Sequence, residues 1–207
     1  MANKTRGREA GLLKSFSRYI SYGMPILDVI SNIAKIYPEY DAELKFIHES
    51  IRKGDTMYNA MLEKRNSFHI PAIYLTGIGE ETSDLDKTLL KASELVLQKN
   101  KPKKMEELLF YHSLGTLLEA GLPCLRSIRI LQETSRQLKA FPYANNIKKI
   151  GDYLEGGSTL SEAIEKSGKY FPREVALKIG IAEMCGRTGE ESLNISGDIQ
   201  REYFMTK

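Results

Sequence analysis

The chain has 207 residues, 42% hydrophobic and 28% charged, with a formal charge of +3, and these globular proportions exclude disordered, collagenous and disulfide-scaffold chains. The length suits one large domain or two of about 100 residues each. The longest charge-free run, Asn66 to Gly79, is too short for a membrane span, and with no apolar run behind the basic start Lys4, Arg6 and Arg8 a signal peptide is not expected. A soluble chain made in the cytosol is the expectation.

In chain order, Leu12, Leu13, Phe16, Tyr19 and Ile20 recur at helical spacing, and Gly23 supplies the left-handed position that ends a helix. Pro25 fits the first turn of a second helix, whose apolar face is Ile26, Val29, Ile30 and Ile33 before the break at Pro38. Leu44, Ile47 and Ile51 form a third stripe, ended by Gly54. Asp55 reads as the N-cap of a short fourth helix carrying Met57, Ala60 and Met61. A fifth helix spans about 70–80, and a sixth starts near Ser83 and carries Leu85, Leu89, Ala92 and Leu95. The second half repeats these stripes, from Leu109, Leu114 and Leu117 through Ile128, Ile147, Leu160 and Ile179 to Leu193 and Ile195, with Ser158 as the matching N-cap. Strand alternation is absent from the sequence.

The two halves align residue by residue. Gly23-Met24-Pro25 lies over Gly121-Leu122-Pro123 at an offset of 98, and Gly54-Asp55-Thr56 over Gly157-Ser158-Thr159 at 103. At 103 Phe68 also meets Phe171, and Gly77-Ile78-Gly79-Glu80 meets Gly180-Ile181-Ala182-Glu183. The change of offset places a five-residue insertion around Gln132 to Tyr143. Three islands in order indicate duplication. The fold expected is therefore all-α, two tandem homologous helical bundles of about six helices each. The first runs over 10–98, a lysine-rich linker over 99–105, and the second over 106–207.

Charge is uneven: residues 1–104 sum to +4 and residues 105–207 to −1. Lys99, Lys101, Lys103 and Lys104 form a basic joint that reads either as a solvated linker or as a contact for an anionic membrane surface or partner. The chain is not basic enough overall for a dedicated nucleic-acid protein, and no nucleic-acid partner is expected. Cys124 and Cys185 lie 61 residues apart without a CxxC or a histidine at ligand spacing, so neither a metal site nor a redox pair is expected, and both thiols read as free and buried. P-loop, GxGxxG, GxSxG and HExxH signatures are missing, and His48, His69 and His112 are scattered. No catalytic residue and no cofactor is assigned. The repeated polar element is Glu80 with Ser83 and Glu183 with Gly186. Each carboxylate either accepts hydrogen bonds from the free amides opening the last helix of its bundle, or joins Asp84 or Glu190 to bind a cation or a basic partner.

Leu118-Glu119-Ala120-Gly121-Leu122-Pro123, then Gly156-Gly157-Ser158-Thr159-Leu160-Ser161-Glu162-Ala163, Phe171-Pro172 and Ala182-Glu183-Met184-Cys185-Gly186 resemble the signature of the type II secretion system F domain. The first copy is similar through Gly23, Pro25, Gly54, Phe68 and Glu80, although Ser83 and Ala182 stand where the family has glycine. The resemblance implies a helical-bundle cytoplasmic module of the platform protein of type II secretion and type IV pilus machines. That module is a non-enzymatic adaptor thought to couple a hexameric ATPase to pilin insertion. It also implies that the partners are this assembly ATPase and other inner-membrane assembly proteins, with self-association plausible for duplicated faces. The family's transmembrane helices have no counterpart here, and Lys99–Lys104 stands where the first would begin. The chain is then either a soluble derivative acting at the cytoplasmic face of the inner membrane, or one separated from its spans. The alternative from a different class is a cytosolic helical scaffold or regulator whose basic linker touches anionic membrane or nucleic acid.

Overall fold

A computed structural model describes residues 2–98, 102–138, 144–168 and 170–204. The first unit, residues 1–99, contains α1 (Ala2–Ser21), α2 (Ile26–Ile36), a 3₁₀ turn (Pro38–Tyr40), α3 (Asp41–Arg52), α4 (Met57–Glu63), α5 (Ile70–Thr82) and α6 (Leu85–Leu95). The second, residues 100–207, contains α7 (Pro102–Glu119), α8 (Cys124–Leu138), α9 (Ala144–Glu155), α10 (Leu160–Lys166), α11 (Arg173–Cys185) and α12 (Thr188–Phe204). The described residues form no strand, so the all-α, six-plus-six reading holds. Helix α7 begins inside the segment read as a linker. Residues 139–143, in the expected insertion, lie outside the described residues, as do Lys99 and Lys101.

Each unit closes by laying its first helix along its last, α1 on α6 and α7 on α12, while successive helices pack in hairpins between them. In the first unit Leu12, Leu13, Phe16, Val29, Ile33, Leu44 and Ile47 are buried at helical spacing, each such side chain removing apolar surface worth about 1.5–3 kcal/mol. Tyr40 from the 3₁₀ turn stacks on Phe68 at 5.9 Å between ring centroids. In the second unit Phe171 fills the matching place and meets Phe110 at 5.0 Å and Tyr111 at 5.9 Å, both on α7.

The helix ends repeat in backbone detail. Gly23 and Gly121 take φ of 79° and 83°, and the residue after each donates back five positions, Met24 to the Tyr19 carbonyl and Leu122 to the Leu117 carbonyl. These are Schellman turns, which turn the chain sharply while satisfying carbonyls left over at a helix end. Pro25 and Pro123 stand one residue before α2 and α8 rather than in their first turns. Their carbonyls accept from Val29 and Ser127 and so open each helix.

Candidate functional site

The first four amides of an α-helix have no partner within the helix, and a short helix can least tolerate leaving them bare. In α4 all four are matched. Met57 and Tyr58 donate to Oε1 and Oε2 of Glu80 at 2.7 and 3.0 Å, Asn59 donates to the Thr56 hydroxyl at 3.0 Å, and Ala60 donates to the Thr56 carbonyl at 3.2 Å. In α10 the same set recurs. Leu160 and Ser161 donate to the two oxygens of Glu183 at 2.7 and 3.0 Å, Glu162 to the Thr159 hydroxyl at 3.3 Å, and Ala163 to the Thr159 carbonyl at 2.9 Å.

This arrangement corrects two expectations. The N-caps are Thr56 and Thr159, one residue after Asp55 and Ser158. A threonine hydroxyl at that position reaches the third amide of the helix. Asp55 instead accepts from the Thr56 amide and the Asn59 side chain. The glutamates also grip the short fourth helix of each bundle, not the last one, because the α4–α5 and α10–α11 hairpins bring the end of one helix beside the start of the other. Asp84, at the start of α6, makes no side-chain cap. Negative charge at a helix N-terminus is favoured by the aligned peptide dipoles. With every carboxylate oxygen engaged by an amide, the geometry is that of a clamp. Among the described residues, no group of three or more His, Cys, Asp or Glu side chains is placed to hold a metal ion. Burial pushes the Glu80 carboxyl above the ordinary range and repulsion from Asp55 and Glu81 adds to that, while the two amides pull it back.

Just beyond each clamp, Ser83 and Gly186 end α5 and α11 in left-handed conformation, with φ of 60° and 67°. Ser83 is the one non-glycine residue of positive φ among the described residues. The positions equivalent to Gly79 and Ala182 explain their difference. A Cβ on Gly79 would lie 2.8 Å from the Leu85 backbone and 2.1 Å from Thr88 Oγ1, so α5 and α6 meet there too closely for a side chain. Gly54 and Gly157 occupy the turns before α4 and α10, with φ of 93° and 87°. Pro172 is the residue before α11.

The sequence reading missed a buried carboxylate that recurs at the same position of both units. Glu9 on α1 is fully buried and accepts from the His69 amide at 2.8 Å, its other oxygen meeting His69 Nδ1. Its equivalent at offset 98 is Glu107 on α7, also buried, which takes the Lys104 ammonium at 2.7 Å. The switch of partner has a chemical cause: His69 corresponds to Pro172, which has no N–H to give. Coincidence of Glu9 and Glu107 in the repeat, amid apolar positions, was the signal available in the sequence. Lys104 is thereby held within its own unit, with its ammonium 4.5 Å from the Tyr203 ring centroid, and exposed Lys103 sits 5.2 Å from that of Tyr170.

The thiols are both free, but the expectation that they are buried fails for Cys185, which is exposed; Cys124 is half-buried, and burial pushes its pKa up to about 11. In the first unit a groove of about 630 Å³ opens between α2 and α3, walled by Ile30, Ala34, Leu44, Lys35, Asp41, Lys45 and His48. No described helix is long and apolar enough to cross a membrane.

The sequence matches the family model for type II secretion system (T2SS), protein F, twice, over residues 12–107 and 110–207. It is also 31% identical over 87 residues to the protein transport protein HofC homolog of Haemophilus influenzae, a match covering 42% of this chain and 21% of that protein.

Proposed function

Because the chain belongs to the type II secretion system protein F family, we propose that it is a non-enzymatic interaction module of an inner-membrane platform, coupling an assembly ATPase to pilin or pseudopilin assembly. The observation that carries this reading is the duplicated clamp, in which Glu80 of α5 holds the start of α4 and Glu183 of α11 holds the start of α10, within the two segments that match the family. Both bundles carry this clamp at the same point, as suits a scaffold that transmits position rather than performs chemistry. The groove between α2 and α3, with an apolar floor and charged walls, suits a segment of a protein partner. The module would stand at the cytoplasmic face of the inner membrane, with self-association and contacts to other inner-membrane assembly proteins as part of its role. Capture of the purified assembly ATPase or inner-membrane assembly proteins by the full chain tests this, and failure to bind any of them overturns it.

The alternative, a cytosolic scaffold whose basic joint touches anionic membrane or nucleic acid, has less support. Lys104 is held by Glu107 within its own unit, which leaves less of the basic joint for an outside anion.

A further inference from the structure

The groove between α2 and α3 has a counterpart in the second unit, and there it is filled. Arg129 on α8 lies across α9 at Gly151, where a Cβ would come within 2.9 Å of its Nη1. Its guanidinium donates to Gln132 Oε1 at 2.7 Å and to Glu155 Oε1 at 3.2 Å, with Asp152 Oδ1 at 3.5 Å. At the offsets of 98 and 103 these positions have clear equivalents: Arg129, Gln132, Gly151 and Asp152 correspond to Ser31, Ala34, His48 and Glu49. All four of those residues line the groove of about 630 Å³ in the first unit. The groove is thus the space left where an arginine and its glutamine partner are replaced by serine and alanine, with His48 standing as a wall where the second unit has glycine.

What remains suits a guanidinium that comes from outside. Ile30, Ala34 and Leu44 give an apolar floor, on which the methylenes of a long basic side chain can lie. Two carboxylates border it. Asp41 holds Lys45 through Oδ2 at 2.7 Å, and Glu49 holds Arg52 through Oε2 at 2.7 Å. The second oxygen of each accepts no hydrogen bond among the described residues, Glu49 Oε1 lying 3.8 Å from His48 Nδ1. Both ion pairs are exposed, and such pairs hold weakly, so the planar fork of an arginine can take these oxygens. We propose that the groove takes an arginine side chain of a protein partner, which does for the first unit from outside what Arg129 does for the second from within. The inference rests on the reading of this groove as a partner site and adds the chemistry that the partner presents.

The test uses the purified full chain and the capped tripeptide acetyl-Ala-Arg-Ala-amide, without the ATPase. Titration should shift the His48 imidazole resonance, with His69 and His112 as references in the same spectrum. The citrulline and lysine forms of the peptide should bind about tenfold more weakly or worse, because citrulline lacks the charge and lysine lacks the fork. Ser31→Arg should abolish peptide binding by supplying the side chain from within, and its thermal melt serves as the folding control. Glu49→Gln, a change of one exposed atom pair, should weaken binding severalfold in a chain that melts as before. No shift with the arginine peptide, an equal response to the citrulline form, tighter binding of a glutamate form, or binding that survives Ser31→Arg each overturns the proposal. Capture of the assembly ATPase by a chain that binds no arginine peptide would leave the proposed role standing and remove this inference. Arginine-peptide binding without ATPase capture would do the reverse, and ATPase capture lost in Ser31→Arg would assign the arginine to that partner.

Discussion

Leu160 N–H donates to Glu183 Oε1 at 2.7 Å, the bond that Met57 makes to Glu80 at the same length 103 positions earlier. Removing either carboxylate leaves two half-buried amides at the start of a seven-residue helix. Glu80→Ala and Glu183→Ala should each lower stability by about 1–3 kcal/mol, measured as a fall in the urea midpoint at constant slope. Unchanged midpoints would show that water replaces the carboxylates without cost.

Burial alone pushes the Glu106 carboxyl up to about 7, and its Oε2 has no hydrogen-bond partner. A carboxyl whose pKa is raised in the folded state binds more protons there than when unfolded. Its contribution is therefore fully present below the unfolded value near 4.5 and is lost as pH rises through about 7. Stability should fall between pH 5 and 8 by roughly 2 kcal/mol from this group, with Glu80 adding in the same direction because its value is also raised. Glu106→Gln should flatten that slope in pH-dependent chemical denaturation. A slope unaltered by the substitution would place its origin elsewhere.

Ser83 holds a left-handed conformation that its equivalent, Gly186, adopts without a Cβ. Ser83→Gly should raise stability by up to about 1 kcal/mol, and Gly186→Ala should lower it by a similar amount. Gly121→Val and Gly157→Val should cost about 1 kcal/mol or more. Space is not the cause, since a Cβ at either position would meet nothing within 4 Å. Thermal melts of the four variants separate backbone strain from packing.

Gly79→Ala presents the opposite case, because its φ is ordinary and its surroundings are full. The added methyl meets the Leu85 backbone, so α5 and α6 must separate, at a cost of about 1–3 kcal/mol. Ala182→Gly, at the equivalent position of the second unit, removes only a methyl and should change the melt less.

The helices, their order, the duplication and the family were legible in the sequence. Each rests on local chemistry: apolar residues at helical spacing, and glycine and proline at fixed points in a repeat. Glu80 and Glu183 stood out for the same reason, as polar residues recurring among apolar ones. Which helix they cap was not legible, because Glu80 and Met57 lie 23 positions apart and meet only when the α4–α5 hairpin closes. Glu9 and His69 are farther apart still, separated by 60 positions, and no local pattern marks a carboxylate as buried. The α11 stripe shows the limit most plainly. The stripe read from the sequence runs through Ile179, which is buried, while Leu177 and Ile181, the equivalents of the buried Tyr74 and Ile78, are left in water by the packing. Sequence periodicity determined which faces of this protein are apolar. The tertiary structure decided which of them are covered, because cover depends on what distant segments of the chain bring alongside.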